Sequence, residues 1–274
     1  YQAEASQGSL QAFFEFQTQI ARLTGLDIAN ASLYDGATAV AEAALLAVNT
    51  TKRNEVLVAS TMHPEYIAVL NTVLSDLDIT ITMLEATDGK ISPTTVETNM
   101  SDTVAGVIVQ SPNIWGQIED WDGCFAEAHK TPKTAGIAVF NPIVCGILKT
   151  PGACGADIAA GEGQSLGNAL NLGGPYLGLL AAKESYARKM PGRLVGMTTD
   201  EDGRRVFCLT LQTREQHIRG AKATSNVCTN QGLMALRASM FMTTLGSSGI
   251  AEMASQCWHK AHYLANEIAK LDGW

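Results

Sequence analysis

Apolar positions along this chain switch between a helical and an extended period. Leu10, Phe13, Phe14, Ile20 and Leu23 fall on one helical stripe that Gln17 interrupts, and Gly25 stands where a left-handed residue would close the helix. An alanine-rich stretch at 37–48 predicts a second helix. Short apolar or β-branched runs then recur at 55–59, 79–83, 104–110, 137–140, 156–160 and 177–181. The run 104–110 is apolar nearly throughout, as in a strand covered on both faces. Helix-compatible stretches at 65–74 and 125–130 separate several of these runs, and from Asn230 onward the pattern predicts two long helices broken near Gly246–Gly249. Repetition of strand, helix and strand makes the fold class α/β, with a mainly parallel sheet, right-handed crossovers and helices on both faces. Ligands of such sheets sit at the carboxyl ends of the strands, which directs attention to the loops after each run.

Composition narrows the class. The 274 residues are 46% apolar and 17% charged, which suits a large globular domain and excludes a disordered chain. No stretch approaches the roughly 20 unbroken apolar residues of a membrane-spanning helix. A balance of 19 basic against 27 acidic residues, net −8, gives an overall field that repels phosphate backbones and argues against nucleic acid as a partner. Cys124, Cys145, Cys154, Cys208, Cys228 and Cys257 are scattered, with no CxxC pair and no histidine spaced to complete a metal site. They read as reduced thiols, several in apolar runs, and the setting as cytoplasmic.

Four segments carry candidate chemistry. Tyr34-Asp35-Gly36-Ala37-Thr38-Ala39 opens the alanine-rich helix, where free N–H groups favour an anion; an ordinary cap made by Asp35 is the other reading. His63, in Thr61-Met62-His63-Pro64-Glu65, is placed either to stack on a flat cofactor or shuttle a proton, or simply to precede a helix begun by Pro64. Gly161-Glu162-Gly163-Gln164-Ser165-Leu166-Gly167, followed by Gly173-Gly174-Pro175, allows either close approach of a ligand or tight packing. Arg214, His217, Arg219 and Lys222 form a basic cluster suited to carboxylates or phosphates, or to a solvated, subunit-facing surface laced with Glu215. Glu201-Asp202 before Gly203 reads as a turn, and Asp120 and Asp122 around Trp121 as loop and helix-start residues. Neither GxGxxG nor GxxxxGK[ST] is present.

Longer motifs carry a resemblance. Tyr1-Gln2-Ala3-Glu4-Ala5-Ser6-Gln7-Gly8, the segment 30–39 (Asn-Ala-Ser-Leu-Tyr-Asp-Gly-Ala-Thr-Ala), Gly155-Ala156-Asp157-Ile158 with the run 161–167, and Leu211-Gln212-Thr213-Arg214-Glu215-Gln216-His217-Ile218-Arg219 resemble the glycine cleavage system P-protein family, in particular subunit 1 of its two-subunit prokaryotic form. The resemblance covers essentially the whole chain. It implies the large domain of fold-type-I enzymes dependent on pyridoxal phosphate (PLP), decarboxylation of glycine, and transfer of the aminomethyl group to the lipoyl arm of H-protein. PLP serves such chemistry as an electron sink and is normally held as a Schiff base on a lysine.

Two departures bear on that lysine. The ten lysines are Lys52, Lys90, Lys130, Lys133, Lys149, Lys183, Lys189, Lys222, Lys260 and Lys270, so none lies between 149 and 183, where the fold type places the Schiff base. Gln164 and Ser165 occupy that stretch, and a glutamine cannot form an imine. Asn141, in Phe140-Asn141-Pro142, stands where the fold type usually sets an acid against the pyridine nitrogen, and an amide supplies no such charge. Tyr34, Asp35, Gly36, Ala37, Thr38, His63 and Asn141 match the family's cofactor-site loops and are expected as remnants of that site. Arg214, Arg219 and Lys222 are expected to face a partner.

The resulting expectation is a lysine-less subunit 1 that works beside a lysine-bearing subunit 2, which holds the PLP, with H-protein and glycine as further partners. Residues 1–249 are expected to form the large domain. Residues 250–274 are expected to lead into a small C-terminal domain truncated here, the family's N-terminal arm also being absent. The rivals are a non-enzymatic structural or regulatory pseudoenzyme and a self-sufficient PLP enzyme acting on another amino acid.

Overall fold

A computed structural model describes residues 2–172, 174–227 and 230–273. Tyr1, Gly173 and Cys228, each part of a feature read from the sequence, lie outside the described residues. Helix α1 (Gln7–Thr24) ends at Gly25 in the left-handed conformation, as its stripe predicts. The central sheet has seven strands: β1 (Ile28–Ala29), β2 (Glu55–Ala59), β3 (Thr80–Leu84), β4 (Val104–Ser111), β5 (Ala135–Phe140), β6 (Ile158–Glu162) and β7 (Gly178–Ala182). Their order is β1-β7-β6-β5-β4-β2-β3. The pairs from β3 through β2, β4 and β5 to β6 are parallel, while β7 and β1 join antiparallel.

The crossovers are α2 (Gly36–Thr51), α3 (Pro64–Leu74), α4 (Pro93–Asn99) and α5 (Trp121–Lys130). The inner strands of the sheet are buried on both faces, and the edge strand β3 is only partly covered. One core gathers Leu10, Phe16, Val107, Phe125 and Ala138 beneath α1 and α5; the other gathers Ala43, Leu46, Val58, Leu70 and Ile108 beneath α2 and α3. Cover on both faces explains why the runs of β4 and β5 are continuously apolar, while the edge strand β3, only partly covered, alternates isoleucine with threonine.

Three features escaped the pattern. The strand β1 has only two residues, and α4 carries a mostly polar sequence in which Val96 alone is buried. The hairpin β8 (Leu194–Thr199) and β9 (Arg205–Thr210) forms a separate two-stranded sheet, turned by the Glu201-Asp202-Gly203 segment. This hairpin accounts for the glutamine in the α1 stripe. The Gln17 amide donates to the Val195 carbonyl at 3.0 Å and accepts the Val195 N–H at 2.9 Å, and Gln7 treats Phe207 the same way, at 2.9 Å each. An amide side chain thus pairs with strand backbone as a neighbouring strand would.

After the one-turn helix α6 (Gln216–Arg219), the last helix, α7 (Gly232–Ile268), is two helices joined through Gly246, whose φ of 63° and ψ of −175° break the helical path. No helix among the described residues is long and apolar enough to cross a membrane. Of the cysteines described, Cys124 and Cys154 are buried and Cys257 is exposed, and none is in a disulfide.

Candidate functional site

The carboxyl ends of β2, β4, β5 and β6 converge on a cavity of about 300 Å³ that His63, Tyr66, Gln110, Asn141 and Glu162 help to line. His63 follows β2 and caps α3, its Nδ1 accepting the Glu65 N–H at 3.2 Å. Its own N–H donates to Gln110 Oε1 at 2.8 Å, and its ring lies 5.2 Å from that of Tyr66. Asn141 follows β5, and its Oδ1 accepts the Ile143 N–H at 2.9 Å, so the side chain shapes its own turn. The loops are tied beneath the cavity by Glu119, a buried carboxylate that accepts from Thr61 Oγ1 at 2.7 Å, Asn113 Nδ2 at 2.7 Å and the Ile91 N–H at 2.9 Å.

Glu162, the last residue of β6, reaches the first turn of α2. Its Oε2 accepts the Gly36 N–H at 2.8 Å, while Oε1 accepts the N–H groups of Gln164 at 2.7 Å and Leu177 at 3.0 Å. Burial raises the Glu162 carboxyl above the usual carboxylate range; the three backbone donors oppose this and the nearby Asp35 carboxylate adds to it. Tyr66 is pushed up by burial and by the charges of Glu162 and Asp35.

The loop read as one candidate segment divides between two places. Asp35 Oδ1 accepts the Thr38 N–H at 3.0 Å and the Thr38 hydroxyl, and the Asp35 N–H donates back to Thr38 Oγ1 at 3.3 Å, a closed capping box. Ala37 is buried within the helix. Tyr34 and Thr38 line a second, larger cleft of about 1020 Å³, together with Glu42, Arg214, Arg219 and Lys222. Gln164 turns away from the first cavity and donates to the Asn168 carbonyl at 2.5 Å; Ser165 sits half-buried in the same turn. Arg219 and Lys222 are exposed, whereas Arg214 is buried and is not a surface charge.

These residues do not fit PLP. No lysine lines the cavity at the strand ends. Asn141 brings an amide where a pyridinium would need an anion. The N–H at the start of α2, which would serve a phosphate, already donates to an internal carboxylate, with that of Asp35 beside it.

Sequence reasoning brought His63 and Asn141 to the cavity but missed Glu162, Tyr66 and Gln110. Glu162 had a signal: it is the one charged residue in its glycine-rich run and it ends an apolar strand. Tyr66 and Gln110 had none beyond their places after a strand end.

Comparison with known proteins agrees with this architecture. The family profile described as "Glycine cleavage system P-protein" matches residues 1–273. The chain is 51% identical over 273 residues to a "Probable glycine dehydrogenase (decarboxylating) subunit 1" of Moorella thermoacetica, covering all of this chain and 61% of that protein. It is 52% identical over 277 residues to the protein of that name from Prosthecochloris aestuarii, covering all of this chain and 62% of the relative. It thus spans about three fifths of the length of the curated relatives it matches. A crystal structure of glycine decarboxylase (P-protein) of the glycine cleavage system, in inhibitor-bound form, superposes with a TM-score of 0.95 at 47% identity, over 100% of this chain and 61% of that one. A crystal structure of mouse CSAD superposes with a TM-score of 0.68 at 14% identity, over 97% of this chain and 57% of that one, which shows the fold alone.

Proposed function

This chain belongs to the glycine cleavage system P-protein family, and on that premise we propose that it is the lysine-less subunit 1 of a two-subunit glycine decarboxylase. It pairs with a lysine-bearing subunit 2, and together they decarboxylate glycine and pass the aminomethyl group to the lipoyl arm of H-protein. Any PLP of the assembly is held by subunit 2, and this chain completes the cleft. The observation that carries this reading is the cavity at the strand ends, which lacks a lysine and whose Glu162 carboxylate closes the start of α2.

Three finer readings accompany it. Residues 1–249 form the large domain; residues 250–274 lead out of it, anchored by Ile250 and Ala254, which are buried in the core beneath α1. The exposed Arg219 and Lys222 face the partner subunit. The setting is the prokaryotic cytoplasm, a reading supported by the sources of the relatives.

The test is an absorption spectrum with excess PLP, followed by borohydride reduction and peptide mapping. The expected result is no specific label on any lysine of this chain. Glycine decarboxylation should appear only after a subunit 2 homologue and H-protein are added. A specific label on one lysine of this chain would overturn the assignment.

A further inference from the structure

Arginine is concentrated at a second place, away from the strand-end cavity. A pocket of about 270 Å³ is lined by Arg188, Leu211, Thr213, Arg214 and Arg219, and it adjoins the larger cleft that Lys189 and Lys222 also line. Three separate segments bring the arginines together. Arg188 comes from a 3-10 turn (Glu184–Lys189), Arg214 from the 3-10 turn Gln212–Arg214 after left-handed Leu211, and Arg219 from the short helix α6 (Gln216–Arg219).

Arg214 makes this more than a basic surface. Its residue is only 7% exposed. Nη1 donates to the Met190 carbonyl, but buried Nε and Nη2 have no hydrogen-bond partner among the described residues. Burying a guanidinium with two idle donors is costly unless an acceptor of opposite charge is supplied. The chain supplies one only at longer range, the buried Glu215 carboxylate, which acts on Arg214 through space. Among the described residues, no ion pair within 4.0 Å involves Arg188, Arg214 or Arg219. Glu215 is the nearest candidate in sequence, but its Oε2 lies 3.6 Å from His217 Nδ1 and its Oε1 is itself without a partner. Glu42 and Asp76 line the larger cleft and not the pocket. A protein of net charge −8 has therefore gathered three of its positive groups around a cavity with no carboxylate paired to them within 4.0 Å among the described residues.

We propose that this pocket binds a phosphate dianion, either inorganic phosphate or the phosphate of a small phosphorylated molecule. Arginine forks suit phosphate oxygens, and Arg188, Arg214 and Arg219 bring three of them to one pocket; the unpaired Nε and Nη2 of Arg214 are covered, so pairing them requires the guanidinium to turn towards the pocket. Three guanidinium charges match a dianion better than a monoanionic carboxylate. The pocket exceeds the size of a bare oxyanion, leaving space for an attached organic group. Burial lowers the affinity of the Arg214 guanidinium for its proton, the nearby Glu215 charge opposes this in part, and a bound anion would oppose it further. The proposal shares Arg219 with the partner-facing surface of the preceding subsection, and phosphate binding measured on this chain without a partner separates the two.

The experiment is isothermal titration calorimetry of the purified chain at low ionic strength with inorganic phosphate, glycerol 3-phosphate and acetate. The expected result is saturable one-site binding of phosphate, with acetate at least about tenfold weaker. Arg188→Gln and Arg214→Lys should each weaken phosphate binding about tenfold, since each removes charge-assisted hydrogen bonds. Tighter binding of glycerol 3-phosphate would identify a phosphorylated molecule as the ligand, and equal binding phosphate itself; both support the site. Arg188 is exposed, so R188Q keeps the test decisive even if R214K does not fold. Absence of saturable phosphate binding, acetate binding as tight as phosphate, or unchanged affinity in folded R188Q would overturn the proposal.

Discussion

The Glu162 carboxylate accepts the N–H of Gly36 at 2.8 Å, across 126 residues of chain. A helix start favours negative charge because its first N–H groups are unpaired and its dipole is positive there. In α2 that charge comes from inside the molecule. The same carboxylate gathers the N–H groups of Gln164 and Leu177, so one side chain joins the start of α2, the turn after β6 and the approach to β7.

Gly36 is held tightly by this arrangement. A Cβ added there would meet the Tyr66 hydroxyl, with Glu162 Cβ at 2.8 Å and the Glu162 backbone nitrogen at 3.0 Å. Gly36→Ala should therefore cost about 2–4 kcal/mol, read as a lowered midpoint of urea unfolding. Glu162→Ala leaves three backbone donors without their acceptor and should cost about 2–3 kcal/mol. A wild-type midpoint for both variants would show that the contact does not organise the fold.

Asp157 anchors the opposite end of the sheet. It accepts from His129 Nε2 at 2.7 Å, Lys183 Nζ at 2.6 Å and the Gly136 N–H at 2.8 Å. Burial by itself would raise its carboxyl, but these partners outweigh burial and hold it below the usual carboxylate range. A lowered acid contributes stability that is fully present above its unfolded value, near 3.9, and is lost as pH falls through the folded value. Asp157→Asn should cost about 1–3 kcal/mol at pH 7, with His129 and Lys183 partly solvated, and the cost should shrink towards pH 3. Unfolding midpoints at the two pH values decide it.

Glu42 should act with the opposite sign. Burial pushes its carboxyl up to about 7, against a hydrogen bond with Ser225 that lowers it. The neutral acid is favoured in the folded state, so this contribution is fully present below about 4.3 and is lost as pH rises through 7. At pH 8 Glu42→Gln should be more stable than the wild type by on the order of 3 kcal/mol, and at pH 4 nearly equal to it. Parallel stability profiles for the two proteins would contradict this.

His63 separates a shared active site from a scaffold. His63→Asn keeps a side-chain acceptor at the start of α3 but removes the ring from the cavity. If the cavity completes the cleft of the assembled enzyme, the rate of glycine decarboxylation should fall about tenfold or more with assembly intact. An unchanged rate would favour a purely structural subunit.

Arg219 and Lys222 are the exposed members of the basic cluster. Reversal of both charges, R219E with K222E, should weaken association with subunit 2 about tenfold and most strongly at low salt. Sedimentation or calorimetry at two salt concentrations reads this directly, and salt-independent, wild-type affinity would remove these residues from the interface.

Much of this protein was legible in its sequence because the information was local. The apolar runs at 55–59 and 104–110 name strands whose burial the structure repeats nearly residue for residue, and Gly25 marks the end of α1. The long motifs identified the family, and the absence of lysine between 149 and 183 needed only counting. What the tertiary structure decided concerns partners distant in the chain. Periodicity shows that Gln17 interrupts an apolar stripe, but not that its amide pairs with Val195, 178 residues away. Composition shows a basic cluster around Arg214, but not that folding buries that guanidinium beside Arg188 and leaves two of its nitrogens idle. A glycine-rich run shows that backbone can approach closely; only the packing of β6 against α2 shows that Glu162 is what approaches. Local pattern fixes which face of an element is buried, because burial follows the element's own period. It does not fix which polar group meets which, because a hydrogen bond is satisfied by any well-placed acceptor and the placement is set by the whole sheet.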